Sequence, residues 1–150
     1  MNHYPVKIKP LNLADHDLWA HLWQDYLTFY ETSLPMSTID TTWRNLINND
    51  VATYGIGAWK DDILVGFTHV VIHPTTWSST ACCYLQDLYV NESVRGKGIG
   101  RALIEAVYNF ADEKGCNHVY WKTQESNADA RQLYDKVASL TDMVQYRKNL

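Results

Sequence analysis

The sequence predicts an α/β (α+β mixed) fold in which a mixed sheet carries helices on both faces. Three observations predict it. Strand-type and helix-type stretches alternate along the 150 residues. Three consecutive strands occupy the middle of the chain, and the last of them runs through a glycine-rich turn directly into a helix. The predicted order is strand, helix, helix, three strands, helix, strand, helix, strand. This length fits a single domain over residues 1–150, and no repeat, linker or low-complexity tract divides it.

Val6 to Lys9 alternates apolar and polar residues and reads as the first strand, ended by Pro10. Asp15 is a candidate N-cap. In the helix that follows, Leu18, Leu22, Tyr26 and Phe29 recur at helical spacing, flanked by Trp19, Trp23, Leu27 and Tyr30. Pro35 closes it, and a shorter helix is predicted from about Thr41 to Asn48. Tyr54 to Trp59 and Ile63 to Ile72 are apolar and β-branched, and the polar Lys60-Asp61-Asp62 between them marks a hairpin. Cys82 to Val90 is the third central strand. Asn91 to Gly100 is a glycine-rich basic loop. Arg101 to Lys114 is a helix with Leu103, Val107 and Phe110 on one face, stopped by Gly115. His118 to Thr123 reads as a strand, Asn127 to Val137 as a helix and Met143 to Arg147 as a last strand.

Composition excludes several classes. At 46% hydrophobic and 20% charged residues the chain is globular. Its net charge is −4 with no basic cluster, which argues against nucleic acid and suits a partner that carries positive charge. Three cysteines without ligand spacing argue against a disulfide framework or a zinc site. His69 and His73 lie on a strand and do not form a ligand pair of helical type. No stretch reaches the roughly 20 apolar residues of a membrane span, and the N-terminus lacks a leader layout; a cytoplasmic protein is expected. Ten tyrosines and six tryptophans exceed ordinary need and are compatible with an oligomer.

The most informative stretch runs from Tyr84 to Leu103. Glycines let backbone N–H groups crowd around an anion, and the helix start adds unpaired donors and partial positive charge. Together they make a phosphate site, to which Arg95, Lys97 and Arg101 add full charges. No Lys-Ser/Thr follows the glycines, so the loop is not a P-loop. Gly96-x-Gly98-x-Gly100 also lacks the spacing of a dinucleotide fingerprint.

Arg95-Gly96-Lys97-Gly98-Ile99-Gly100 resembles the R/Q-x-x-G-x-G/A motif of the GNAT superfamily of acyl-CoA N-acyltransferases, and the resemblance continues through Asn127 to Tyr134. Residues 26–35, 86–90 and 119–127 are further similar to the Hpa-type branch of histone, polyamine or D-amino-acid acetyltransferases, and to diamine acetyltransferases. The resemblance implies a mostly antiparallel mixed sheet, acetyl-CoA as acetyl donor, an amine as acceptor, and a homodimer or homotetramer. It implies that Arg95, Gly96, Lys97, Gly98, Gly100 and Arg101 hold the CoA pyrophosphate. It also implies that Leu88, Tyr89 and Val90 meet the pantetheine arm through their backbone, although their side chains read as strand core. Asn127 falls at a pantetheine contact, or serves as an N-cap. Tyr134 matches the family tyrosine that protonates the leaving thiolate, whereas its spacing alone gives a core aromatic. After this helix the family pattern of Gly and an aromatic is replaced by Val137-Ala138-Ser139, which puts the helix end in question.

The implied reaction is direct attack of a neutral amine on the thioester in a ternary complex, with no enzyme-bound acyl group. An alkylamine of pKa near ~10.4 arrives protonated and must lose a proton in the site. Asp87 is the candidate acid group for this, or else a strand-edge residue. Tyr84, Gln86, Tyr30 and Glu31 are candidate substrate contacts, and Gln86 stands where diamine-acetylating relatives often carry Glu. The acceptor is a small amine, polyamine or amino acid, or the lysine of a basic histone-like protein. A non-catalytic acyl-CoA-binding sensor or interaction module is the alternative.

Overall fold

A computed structural model describes residues 5–150. Residues 1–4, part of the N-terminus read above as lacking a leader layout, lie outside the described residues. Five strands, β1 (Lys7–Pro10), β2 (Thr53–Lys60), β3 (Ile63–His73), β4 (Cys82–Val90) and β5 (Val119–Tyr120), form one sheet in the order of the chain. The first four pair antiparallel with their neighbours, and β5 lies parallel to β4. The sheet is thus mixed and mostly antiparallel, as expected.

Helices cover both faces. On one, α1 (His16–Phe29) and α2 (Met36–Asn48) enclose a core of Trp19, Leu22, Trp23, Leu27, Trp43 and Leu46 against Phe67 and Tyr89 of the sheet. On the other, α3 (Ile99–Glu113) buries Ile99, Leu103, Ile104, Val107 and Ala111 against Ile56, Val65, Val70, Cys83 and Leu85. Leu133, Tyr134 and Val137 of α4 (Ala128–Val137) pack at the border of this second core.

Five elements differ from the sequence reading; one is β5, which forms only over Val119–Tyr120, although His118 to Thr123 reads as a strand, because the chain then parts from β4. The buried stripe of α1 is Trp19, Leu22, Trp23 and Leu27, while Leu18 and Phe29 are exposed; rings that stack (Trp19 on Trp23, and Trp23 on Tyr26) set the rotation of the helix. Asp15 makes no side-chain cap to α1; Asn12 caps the short 3-10 turn before it in a capping box with Asp15. α2 starts at Met36, earlier than its Ser- and Thr-rich first turn suggests, because Ile39, Trp43, Leu46 and Ile47 all pack on the α1 layer. The strand predicted at Met143 to Arg147 does not form: residues 139–150 belong to no helix or strand, and Leu140, Met143, Val144 and Tyr146 are exposed. The segment pairs with none of the described strands, although β5 leaves one edge of the sheet open.

One irregularity decides what β4 presents. His69 pairs with Asp87, yet Val70 pairs with Leu85, so Gln86 is an extra, unpaired residue. Such a bulge exchanges the two faces of a strand. Before it, Cys83 and Leu85 point to the α3 core; after it, the equally odd-numbered Tyr89 points to the α1 core, and Asp87 bonds to α1 and β3 side chains.

Candidate active site

β4 and β5 stay paired for only two registers, Cys83 with Val119 and Tyr84 with Tyr120. Beyond them the strands part. Leu85, Gln86 and Leu88 form one wall of the resulting cleft, and Trp121, Lys122 and Thr123 the other. Tyr26 and Tyr30 from α1 and Tyr134 from α4 complete it. Parting strands leave backbone donors and acceptors on this side without a strand partner, a ready surface for an extended chain that carries amides.

At the mouth of β4 the chain passes through a 3-10 turn, Glu92–Val94, closed by the Asn91 side chain on the Ser93 N–H. Gly96 and Gly98 have φ of +79° and +83°, a region costly for residues with a Cβ. Gly98 is the N-cap of α3 and no side chain caps this helix. Its first-turn N–H groups lack intrahelical acceptors and suit an anion. Lys97 is exposed, and Arg101 pairs with Glu105 at 3.1 Å on the first turns of α3. Arg95 is turned away from this loop: its Nε donates to the Val90 carbonyl at 2.9 Å, and its guanidinium lies over Phe29 and Tyr89. A nucleotide diphosphate fits the glycine loop, and the parted strands fit a peptide-like arm leading from it. These are the two requirements of a CoA thioester.

Around the cleft the side chains are organised by Asp87. The Tyr26 hydroxyl donates to Asp87 Oδ1 at 2.7 Å, and His69 Nδ1 lies 3.0 Å from Oδ2. The Thr68 hydroxyl donates to the Asp87 carbonyl. Burial, reinforced by the adjacent Asp87 carboxylate, pushes the Tyr26 hydroxyl far above its usual range. Burial also raises Tyr134 and Tyr30, so all three cleft tyrosines are neutral phenols at physiological pH. Cys83 is not a nucleophile in waiting, because burial, with Cys116 nearby, pushes its thiol up to about 12.

Of the predicted site residues, Gln86, Leu88, Tyr30 and Tyr134 line the cleft. Asp87 stands behind it, reached through Tyr26. The Asn127 side chain does not cap α4; its Nδ2 donates to Thr123 Oγ1 at 3.1 Å, tying the helix start to the cleft wall. Tyr84 stacks on Tyr120, with Lys122 over its ring. Glu31 sits exposed in the turn after α1 with φ +54°. Val90 is half-buried against the α3 core and Tyr89 is buried in the α1 core. Sequence reasoning missed Trp121, Lys122 and His69, and Tyr26 read there as a core aromatic of the helix rather than a group facing a cation. The one available signal was the i, i+4 relation of Tyr26 and Tyr30, which sets both on one side of the helix. A larger cavity of about 510 Å³ opens between α2, β1 and α3, but none of the predicted site residues borders it.

Residues 16–138 match the Acetyltransferase (GNAT) family. The chain is 39% identical over 146 residues to the D-amino-acid N-acetyltransferase HPA3 of Saccharomyces cerevisiae, covering 96% of this chain and 91% of that protein. It is similar in structure to a ribosomal-protein-alanine N-acetyltransferase from Brucella melitensis, with a TM-score of 0.79, 27% identity and coverage of 97% and 100% of the two chains. The fold also matches an aminoglycoside acetyltransferase, AAC(6')-Iy, held with a CoA bisubstrate analogue (TM-score 0.83, 20% identity, 97% and 99% coverage).

Proposed function

We propose, for a chain that belongs to the GNAT family of N-acetyltransferases and takes acetyl-CoA as its donor, that the acceptor is the primary amine of a free amino acid. One observation carries this reading: Lys122 lines one wall of the cleft, with its ammonium held over the Tyr84 ring, and the Asp87-backed hydroxyl of Tyr26 borders the same cleft. A zwitterion needs such a pair, a cation for its carboxylate and an acceptor for its ammonium. A polyamine has no use for the lysine and would be repelled by it. The activity named for the yeast relative supports the same class. Three tyrosyl rings narrow the cleft, which favours a small acceptor over a protein tail.

In this reading acetyl-CoA supplies the thioester. The N-terminus of α3 with Gly96, Gly98 and Gly100 receives its diphosphate, with Lys97 and Arg101 adding charge from outside. Arg95 contributes by fixing the loop to the end of β4 rather than by direct contact. The freed edge of β4 around Leu88 to Val90 receives the pantetheine amides, with Asn127 and Thr123 across the cleft. Tyr134, kept protonated by burial, is the donor for the departing thiolate. Gln86, Tyr30 and Lys122 position the acceptor.

The chain is also proposed to act as a homodimer or larger homo-oligomer. Leu140, Met143, Val144, Tyr146 and Leu150 are exposed in 139–150, with Tyr146 at 93% exposure, while β5 leaves one edge of the sheet unpaired.

Thiol release from acetyl-CoA, measured against D- and L-amino acids, polyamines and histone peptides, tests the acceptor. Turnover is expected with free amino acids. It should fall when the carboxylate is amidated or when Lys122 is changed to Met. Preference for spermidine or for a lysine peptide would overturn the assignment.

A further inference from the structure

Four side chains from three elements form one directed hydrogen-bond chain beside the cleft. Trp19 Nε1 donates to His69 Nε2 at 3.0 Å. Indole nitrogen is a donor only, so Nε2 is the acceptor and the ring proton sits on Nδ1. That proton faces Asp87 Oδ2 at 3.0 Å, and the other oxygen, Oδ1, receives the Tyr26 hydroxyl at 2.7 Å. His69 is 3% exposed and Asp87 15%, whereas Tyr26 borders the cleft. Every proton in the chain is committed: the indole proton to His69, and those of His69 and Tyr26 to one carboxylate.

A phenol whose proton is given away offers only its lone pairs to a third group. Tyr26 is therefore an acceptor held ready for an N–H, and Asp87 is a proton sink one bond behind it. We propose that Tyr26 takes the proton of the incoming ammonium group while passing its own to Asp87, with His69 and Trp19 as positioning residues that hold the carboxylate in place. An N–H bond of the ammonium breaks and leaves the electron pair on nitrogen; an O–H bond forms on Tyr26 as its former O–H breaks; an O–H bond forms on Asp87 Oδ1. A cation and an anion become a neutral amine and a neutral acid, with no co-reactant. His69 Nδ1 already carries a proton and Nε2 is blocked by Trp19, so the charge cannot pass into the core. It returns to solvent along the same route after product leaves.

The titratable and charged groups around this pair are Tyr30 on α1, His69 on β3, Arg95 after β4, Lys122 after β5 and Tyr134 on α4. Among them only His69 bonds directly to Asp87. The proposal rests on the acceptor being an amine, as argued above, and leaves that reading testable by itself.

The experiment compares Tyr26→Phe with the unaltered enzyme, using an acceptor of alkylamine type (pKa about 10.4) and one of α-amino type (pKa about 8) across pH. With the alkylamine at neutral pH, kcat/KM of the variant should drop by about 100-fold. The deficit should shrink as pH rises toward the amine's own pKa, and it should be smaller for the α-amino acceptor. An equal loss for both acceptors at every pH, or no loss, overturns the relay. Acetyl-CoA affinity should be unchanged, which shows that the variant is folded. Imidazole ¹⁵N shifts give a readout without turnover: His69 should be the Nδ1–H tautomer, and Trp19→Phe should release it to a mixture. An Nε2–H ring in the unaltered protein would also overturn the proposal. Failure of the unaltered enzyme to acetylate any amine while it binds acetyl-CoA would instead sink the acceptor reading, and the ¹⁵N result would still judge the network.

Discussion

Tyr134 shares its cleft with two other phenols, but only Tyr26 has its proton pledged to a carboxylate. That difference separates donor from acceptor. Tyr134→Phe should lower kcat by about 100-fold or more with little change in acetyl-CoA affinity by calorimetry; equal turnover would remove its role. Because burial raises its hydroxyl above the ordinary value of 10.0, any alkaline fall in rate due to Tyr134 should appear above that pH. The same sign governs stability at Tyr26. Above pH 10 the unfolded phenol ionises while the folded one keeps its proton, so the unfolded state binds fewer protons and stability falls as pH rises. Thermal melts should show this loss, and Tyr26→Phe should flatten it. Two neighbouring tryptophans make a paired comparison. Trp19→Phe leaves the buried His69 Nε2 without its donor and should cost about 1–3 kcal/mol beyond the change in packing. Trp23 Nε1 is buried without a hydrogen-bond partner among the described residues, so Trp23→Phe removes an unsatisfied donor and should cost less in denaturant unfolding.

Elements make the site by where they stop pairing. The glycine loop was legible in the sequence because its chemistry is local: two glycines at positive φ and an uncapped helix start follow one another within four residues. Gly98→Asp sets a carboxylate against the proposed diphosphate site, and calorimetry should register loss of acetyl-CoA binding; retained affinity would refute the loop assignment. The pairing of Asp87 with His69 and Tyr26 was not legible. It joins residues 18 and 61 positions apart, and it depends on the extra residue at Gln86, which no alternation pattern announces. Deleting Gln86 would join Leu85 directly to Asp87, restore regular alternation and keep both the Leu85–Val70 and Asp87–His69 pairings. That variant should keep cooperative unfolding, as judged by near-ultraviolet dichroism and denaturant titration, because Asp87 and Tyr89 stay on the α1 face.

At the scale of the whole molecule the sheet, its helical layers and their order follow from hydrophobic pattern and turn chemistry, and they were legible except at the start of α2, the short extent of β5 and residues 143–147. At residues 143–147, Val144 and Tyr146 alternate with Gln145 and Arg147 as in a strand, yet the segment pairs with none of the described strands. A second copy would supply a partner. Sedimentation of the full chain should give at least a dimer, and a chain ending at Ala138 should give a smaller assembly; an unaltered monomer in both would dismiss the homo-oligomer. No helix among the described residues is long and apolar enough to cross a membrane.

The phase change in β4 has a consequence for how such an enzyme diversifies. Leu88, Val90 and Tyr134, assigned to the donor, lean on the α3 layer, and Asp87, assigned to the acceptor, is held from the α1 side by Tyr26, with one odd residue marking the frontier. Selection can therefore rework the aromatic helix to suit a new amine while the thioester grip stays as it was.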